Sequence, residues 1–433
     1  MKTAAEIKLW GTVIGAVSVD SADKTADFEY NPSFIQSGIQ LSPVMMPLKS
    51  GVYRFPGLPY GTYHGLPGLV SDSLPDKFGN DIIRLWLARQ GRLPESFNAV
   101  ERLCYTGKRG MGALEYYPVI ATGSVDETLN VSELVELASI VLQNRSNVQA
   151  VLDECDKAKM NAALSQIVNI GTSAGGARAK AVIAWIPGTK EVRSGQTESS
   201  KGFEHWLIKF SGVSGNKDKE DEDREDFGII EYAYYLMAKE AGINMSECRI
   251  LDDGKNCHFM TKRFDRDNNG NKFHMQTLCA IAHMDFNQAG MYSYEQLFSV
   301  LNQIGAHHQD SVEAFKRMLF NIFSFNCDDH TKNTSFLMDK TGQWKLAPAY
   351  DVSFAFNPNG FWTASHQMTV NGKRKNIAES DFETCAKIGS LSSKEVKDAF
   401  LDVKSAVSKW KAIAKNTALS EKRINEIWKI IKI

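Results

Sequence analysis

The chain has 433 residues, more than one ordinary hydrophobic core accommodates, so two or three folding units are expected. Apolar residues make up 43% and charged residues 23%, the balance of a globular protein and not of a disordered or fibrous one. The formal net charge of −1 excludes a global field that would draw the chain to nucleic acid or an anionic membrane. The seven cysteines are scattered, with no CxxC pair, so neither a zinc knuckle nor a redox motif is indicated. Glu6 and Lys8 interrupt the run a signal peptide would need, and no stretch approaches the roughly 20 apolar residues of a membrane helix. The expectation is a cytoplasmic protein with no membrane partner.

In chain order, IKLWGTVIGAVSV (7–19) alternates like strand and is broken by Gly11 and Gly15, and DFEYNPSFI (27–35) continues as a second strand. GLPYGTYHGLPGLVSDSLPD (57–76) reads as loop and turn, KFGNDIIRLWLARQG (77–91) as a helix closed by Gly91, and GALEYYPVI (112–120) as a strand. VSELVELASIVLQ (131–143) has helical spacing, with Ser132 as its expected cap. QIVNIG (166–171), AKAVIAWI (179–186) and HWLIKFSG (205–212) read as strands, and the charge run at 216–226 as a solvated loop. IIEYAYYLMAKEAGI (229–243) is an amphipathic helix, and CRILDD and CHFMTKRFDR are strands around a turn at Asp253–Gly254. Beyond about 270 the pattern is mainly helical. The division expected is 1–122, 123–268 and 269–433.

NCDDHTKN (326–333) is the exception in that helical region, a polar cluster after FKRMLFNIFSF and before the strand-like TSFLMD. Asp328 and Asn333 form D-x-x-x-x-N. Phosphoryl transfer uses such a pair, a carboxylate to orient and deprotonate the attacking hydroxyl and an amide oxygen to help hold a metal. A second metal carboxylate should follow a short strand, and Asp351 does so in WKLAPAYDVSF. Upstream, GTSAGGARAK (171–180) lies between expected strands, and Ser173, Ala174, Gly175, Gly176 and Ala177 could cover phosphates with backbone N–H groups. Lys209 ends an apolar strand and could neutralise phosphate charge; Glu231 opens a helix and could fix that lysine. Each element alone has an ordinary reading as turn, sheet-edge charge or helix-end residue. Loop, Lys, Glu, D-x-x-x-x-N and Asp in this order match a protein kinase, although the loop lacks G-x-G-x-x-G and the gap to the lysine is long.

SAGGARAK, HWLIKF, TKRFDRD, CDDHTKNTSF and LAPAYDVSF together resemble the HipA family of bacterial serine/threonine kinase toxins, and GLVSDSLPD with YTGKRGMGALEYYP resembles its N-terminal module. The resemblance implies an α+β, protein-kinase-like bilobal fold, with a β-rich N-lobe and a helical C-lobe after a small β-rich N-terminal subdomain. It implies ATP and Mg2+ as cofactors, Asp328 as catalytic aspartate, Asn333 and Asp351 as metal ligands and Lys209 as the nucleotide-phosphate lysine. Lys262 to Phe264 match the segment whose backbone meets adenine, and His330 a residue near the ribose. Ser173 falls where the family autophosphorylates, beside Thr172; a phosphate there would put about −2 charge where ATP phosphates belong, so the modification would inactivate. Asp329 stands where D-G-H versions have glycine, adding a charge beside the catalytic base.

The partners implied are a HipB-like helix-turn-helix antitoxin, operator DNA reached mainly through it, and a protein substrate in translation, glutamyl-tRNA synthetase being the family's known one. The basic stretches at 371–376 and 421–433 are candidate secondary DNA contacts with an ordinary reading as exposed surface. Two other functions compete with the toxin kinase. One is a small-molecule or lipid kinase of related fold, and the other an ATP-binding, non-catalytic repressor subunit.

Overall fold

The computed structural model describes residues 2–20, 22–120, 129–144, 163–168, 178–189, 191–195, 203–213, 226–267 and 269–432. The glycine-rich loop at 171–177, most of the charge run at 216–226 and both expected domain cuts, at 122/123 and 268, lie outside the described residues. The chain divides into two compact units. The first comprises 1–39, 48–225 and 249–274, and the second 40–47, 226–248 and 275–433.

The first unit holds two sheets. One has the order β4-β3-β2-β1-β5, from β1 (Lys2–Leu9), β2 (Thr12–Asp20), β3 (Asp27–Tyr30), β4 (Val52–Tyr53) and β5 (Leu114–Tyr117). The stretch expected as one interrupted strand is a hairpin. Trp10 and Gly11 both take positive φ, 51° and 84°, and such turns match the right-handed twist of the strands they join. Gly15 is required by close approach, because a Cβ there would come within 2.3 Å of the Glu29 carbonyl on β3. The second sheet has the order β7-β6-β8-β10-β9, from β6 (Lys180–Trp185), β7 (Val192–Ser194), β8 (Glu204–Lys209), β9 (Cys248–Asp252) and β10 (Cys257–Lys262). Its apolar face, including Ala181, Ile183, Trp206, Ile208 and Met260, joins one core with helices Lys77–Arg89 and Val131–Gln143.

Two local elements differ from expectation. The cap of helix Val131–Gln143 is Asn130, whose side chain accepts from Glu133 N, while the Ser132 hydroxyl instead donates to Asp253 at 3.1 Å. Residues 163–168 are helical, so the described part of QIVNIG, 166–168, is not strand, and 169–171 lie outside the described residues. Ala163, Leu164, Ile167 and Val168 are all buried, and their spacing puts them on one helical face.

A buried ion pair joins the two sheets of this unit. Arg263, just past β10, donates through Nε and Nη2 to Asp265 at 2.9 and 2.6 Å, and Gly112 N donates to the same carboxylate at 2.7 Å. Arg263 also reaches the Gly110 carbonyl at 3.1 Å, so the loop before β5 is bound to the end of β10. Burial raises the Asp265 carboxyl's affinity for a proton, but Arg263 and Arg266 outweigh it and hold its pKa well below the carboxylate range.

The second unit is mainly helical. A three-stranded sheet, β11-β12-β13, from β11 (His274–Thr277), β12 (Ser335–Met338) and β13 (Trp344–Leu346), accompanies helices Phe227–Glu240, Tyr294–Gln303, His308–Phe323, Ser393–Ser408 and Glu421–Ile431. Helix Phe227–Glu240, read from sequence as part of the middle region, belongs to this unit. No helix among the described residues is long and apolar enough to cross a membrane.

Asp265→Asn should destabilise the protein by about 3–5 kcal/mol, because it leaves guanidinium charge buried without its counter-ion. The wild-type contribution belongs to a depressed carboxyl. It is present above the ordinary carboxylate range and lost as the pH falls through the folded value. Denaturant titrations at pH 7 and in acid measure both effects; equal midpoints for mutant and wild type at pH 7 would contradict the assignment.

Candidate active site

The site begins with how helix His308–Phe323 ends. Its buried face is Ser311, Ala314, Phe315, Met318, Leu319, Phe320 and Ile322. After the C-cap Ser324, Phe325 takes the left-handed conformation, with φ 55°. Phe325 N donates to Ile322 O at 3.4 Å and Asn326 N to Asn321 O at 3.0 Å, the paired bonds of a Schellman stop. A non-glycine residue there costs roughly 1–2 kcal/mol. The Phe325 ring packs edge-on against Phe356 at 5.0 Å. The chain therefore turns sharply at the end of an apolar helix, and residues 326–333 follow the turn directly.

The loop then closes on itself. Residues 331–333 form one 3-10 turn, Asn333 N donates to His330 O at 2.9 Å, and Asn333 Nδ2 donates to the Asp328 carbonyl at 2.8 Å. With its amide nitrogen committed, Asn333 presents Oδ1 as an acceptor. Tyr350 Oη donates to the Lys332 carbonyl at 2.6 Å, which ties the residue before Asp351 to the same turn. Asp351 itself is left-handed, with φ 55°, unusual for a residue other than glycine and of a kind that gathers at functional sites. Past Asp351 the chain pairs with the loop again through Cys327 N to Ala355 O at 3.0 Å and Ala355 N to Phe325 O at 3.1 Å.

Asp328 keeps 41% of its side chain exposed. Trp362 Nε1 donates to its Oδ1 at 2.6 Å, and His330 Nε2 lies 3.8 Å from the same oxygen. Its pKa is raised: surrounding protein pushes it up, His330 and Trp362 pull it down, and the charges of Asp351 and Asp329 push it up again. Asp328 and Asp351 therefore repel one another, and a bound cation would relieve that repulsion. Two carboxylates and an amide oxygen are hard donors suited to magnesium, which commonly uses one or two protein carboxylates and completes its shell with water and phosphate oxygens. His330 sits with its ring 5.3 Å from Phe286 and 6.4 Å from Trp362, and its buried Nδ1 has no hydrogen-bond partner among the described residues.

Asp329 turns the other way, into the protein, and is 4% exposed. It accepts from Tyr294 Oη at 2.8 Å, from His366 Nδ1 at 3.1 Å and from Gln367 N at 2.7 Å. Tyr294 Oη also accepts from Asn321 Nδ2 at 3.0 Å, and Asn326 Nδ2 donates to Asn321 Oδ1 at 2.9 Å. The charge expected beside the base is thus a buried anchor with matched partners. Burial opposes a charge on His366, but Asp329 overcomes it and raises that imidazole's pKa to about 10.

The second unit brings Asp328, His330, Asn333 and Asp351 into one loop system, and Glu231 is buried within the same unit on helix Phe227–Glu240. Lys209, Lys262 and Phe264 belong to the first unit. Lys209 ends β8 opposite Phe259 of β10 and Lys180 of β6, and its Nζ lies 5.7 Å from the Phe259 ring centroid. Lys262 pairs with Glu204 at 2.5 Å. Phe264 lies between the ion-paired Arg263 and Asp265 and is half-buried. Ser173, Ala174, Gly175, Gly176, Ala177 and Thr172 lie outside the described residues. Among candidate DNA contacts, Lys373 binds Asp381 at 2.9 Å and Arg374 donates to the His366 carbonyl, so both serve the fold. Sequence reading missed Trp362, His366 and Tyr294, whose partners lie 34 to 37 positions away.

Asp329→Asn should cost about 3–5 kcal/mol and lower the His366 pKa, since Asp329 is the main group opposing burial there and only Cys327 would remain to oppose it. In the wild type the His366 pKa is raised to about 10, so its contribution is complete below about 6.5 and lost as the pH rises through about 10. NMR titration of the His366 ring and melting curves from pH 6 to 10.5 measure this. A ring that titrates near 6.5 in the wild type would contradict it.

The HipA N-terminal domain model matches residues 5–117 and the HipA-like C-terminal domain model residues 172–411. A chain of the Shewanella oneidensis MR-1 toxin–antitoxin complex of HipA, HipB and operator DNA superimposes with a TM-score of 0.62, covering 98% of this chain and 94% of that one at 17% identity. A Haemophilus influenzae protein described as "Putative kinase" is 28% identical over 134 residues, 28% of this chain and 39% of that protein, so the chain spans well under two thirds of this relative's length. The α+β, kinase-like fold class expected from the sequence is the one found. With both domain models matched along its length, the chain belongs to the HipA family.

Proposed function

We propose that this chain is an ATP-dependent serine/threonine protein kinase and the toxin of a toxin–antitoxin pair. The observation that carries this reading is the loop in which Asn333 binds the Asp328 carbonyl, keeping Oδ1 as an acceptor, with the left-handed Asp351 tied to the same turn. A non-catalytic repressor would have no use for a base, an amide ligand and a carboxylate ligand held together in this way.

In the proposed reaction, Asp328 accepts the proton of a serine or threonine hydroxyl as its oxygen bonds to the γ-phosphorus and the bond to the ADP oxygen breaks. Asn333 Oδ1 and the Asp351 carboxylate would hold magnesium, which when bound neutralises charge on the phosphates. Lys209 is assigned to the nucleotide phosphates, Glu231 to fixing that lysine, the 262–264 backbone to adenine and His330 to the ribose. The 173–177 loop would cover the phosphates, and phosphorylation of Ser173 would expel it and switch the kinase off. The three-part division at 122 and 268 is retained as a proposal for a module, an N-lobe and a C-lobe.

The similarity to a chain of the HipA–HipB–operator complex supports a HipB-like antitoxin as partner. With a net charge of −1 and Lys373 and Arg374 engaged internally, operator DNA would be reached mainly through that partner. The substrate is proposed to be a translation component of the aminoacyl-tRNA synthetase class, on the family resemblance alone.

Asp328→Asn should retain the fold and ATP binding and lose roughly 100- to 10,000-fold in phosphoryl transfer. Asp351→Ala should weaken magnesium-dependent ATP binding specifically, as read by titrations with and without the ion. Labelled ATP followed by phosphosite mapping, with proteins and metabolites as acceptors in parallel, separates protein kinase from small-molecule kinase. Ser173→Ala should arrest growth at least as well as wild type, and Asp328→Asn should not. Phosphate found only on Thr172 would keep the switch and move its residue; full transfer by Asp328→Asn would overturn the reading.

A further inference from the structure

Two consecutive aspartates hold the two ends of one short segment. Asp328 takes the indole N–H of Trp362 on Oδ1 at 2.6 Å. Asp329 takes His366 Nδ1 at 3.1 Å and Gln367 N at 2.7 Å. The Gln367 amide then donates back to the Trp362 carbonyl and, at 3.3 Å, to the Cys327 carbonyl. His366 is 5% and Gln367 3% exposed, so this end of the segment is fixed in the interior. Trp362 therefore reaches Asp328 from an anchored base.

We propose that Trp362 is a positioning residue for phosphoryl transfer, setting the Asp328 carboxylate so that Oδ2 faces the substrate hydroxyl. This rests on the reading of Asp328 as the base. A carboxylate offers about four acceptor sites on two oxygens. Among the described residues both groups that reach this one, Trp362 and His330, meet it at Oδ1. With 41% of the side chain exposed and Oδ1 engaged, Oδ2 is the oxygen left to accept from a substrate. A plug would engage both oxygens; the indole takes Oδ1 alone. The hydrogen bond fixes the side-chain rotation, and a base displaced by about 1 Å can lose on the order of 100-fold in rate. Trp362 need not touch nucleotide or substrate to act in this way.

Trp362→Phe keeps a ring and removes the donor. Transfer from labelled ATP with magnesium, to the protein itself and to dephosphorylated casein, should show kcat lowered roughly 10- to 100-fold while the KM for ATP stays within twofold. A packing role would instead lower the melting temperature and move KM and kcat together. A second measurement does not depend on that variant folding. In ¹⁵N-labelled wild type, the Trp362 indole proton should resonate downfield of the other indoles and return to their range in Asp328→Asn. Trp362→Phe with wild-type or faster kcat, or an indole signal that Asp328→Asn leaves unmoved, would overturn the inference while Asp328→Asn remains inactive. An active Asp328→Asn, or a wild type inert toward both acceptors, would overturn the functional reading beneath it.

Discussion

The Asp329 carboxylate is the constraint on which the loop around Asp328 depends. A carboxylate 4% exposed is tolerable only with its partners supplied, and Tyr294, His366 and Gln367 supply them from two other parts of the chain. Those partners fix the loop from within. Asp329 is buried while its neighbour Asp328 keeps 41% of its side chain exposed, so the anchor and the exposed carboxylate sit side by side in one loop. The Asp329 charge still raises the pKa of Asp328, the proposed base, but the Asp329 oxygens are engaged in holding the loop.

Buried charge does comparable structural work in the other unit. Arg263 and Asp265 belong to TKRFDRD, a stretch that marks the family resemblance, yet both are interior and bind the loop before β5 to the end of β10. Motif residues therefore divide by burial. The interior ones fix backbone, while Asp328 and the half-buried Lys209 and Phe264 retain exposure. Ion pairs in both units are likewise where loss of one partner is costly, because the remaining charge has no water to recover.

Much of this was legible in the sequence because it is local. D-x-x-x-x-N closes through one 3-10 turn, so its spacing alone located Asp328 and Asn333 together. Asp351 follows β13 closely, and Lys209 and Glu231 lie on the strand and helix their periodicity indicated. What was illegible is tertiary. Nothing in ASHQM identifies His366 as the partner of a carboxylate 37 positions earlier, and a tryptophan in a Gly- and Asn-rich stretch reads as ordinary surface. Local errors arose where two rules competed. Ser132 and Asn130 are both good caps, and the cap is Asn130, whose side-chain Oδ1 accepts from Glu133 N, while the Ser132 hydroxyl donates to Asp253. At 163–168 a short apolar run fitted either period, and packing against the core selected the helix.

The central claim is that the Asp328–Asn333–Asp351 loop holds a metal against the phosphates of ATP. Crystals grown with manganese and a non-hydrolysable ATP analogue test it most directly, through the anomalous signal of the ion. The account predicts a peak at ligand distance from Asn333 Oδ1 and the Asp351 carboxylate, with the γ-phosphate directed toward Asp328. A manganese peak held by other residues, or a nucleotide bound with its phosphates away from Asp351, would contradict it.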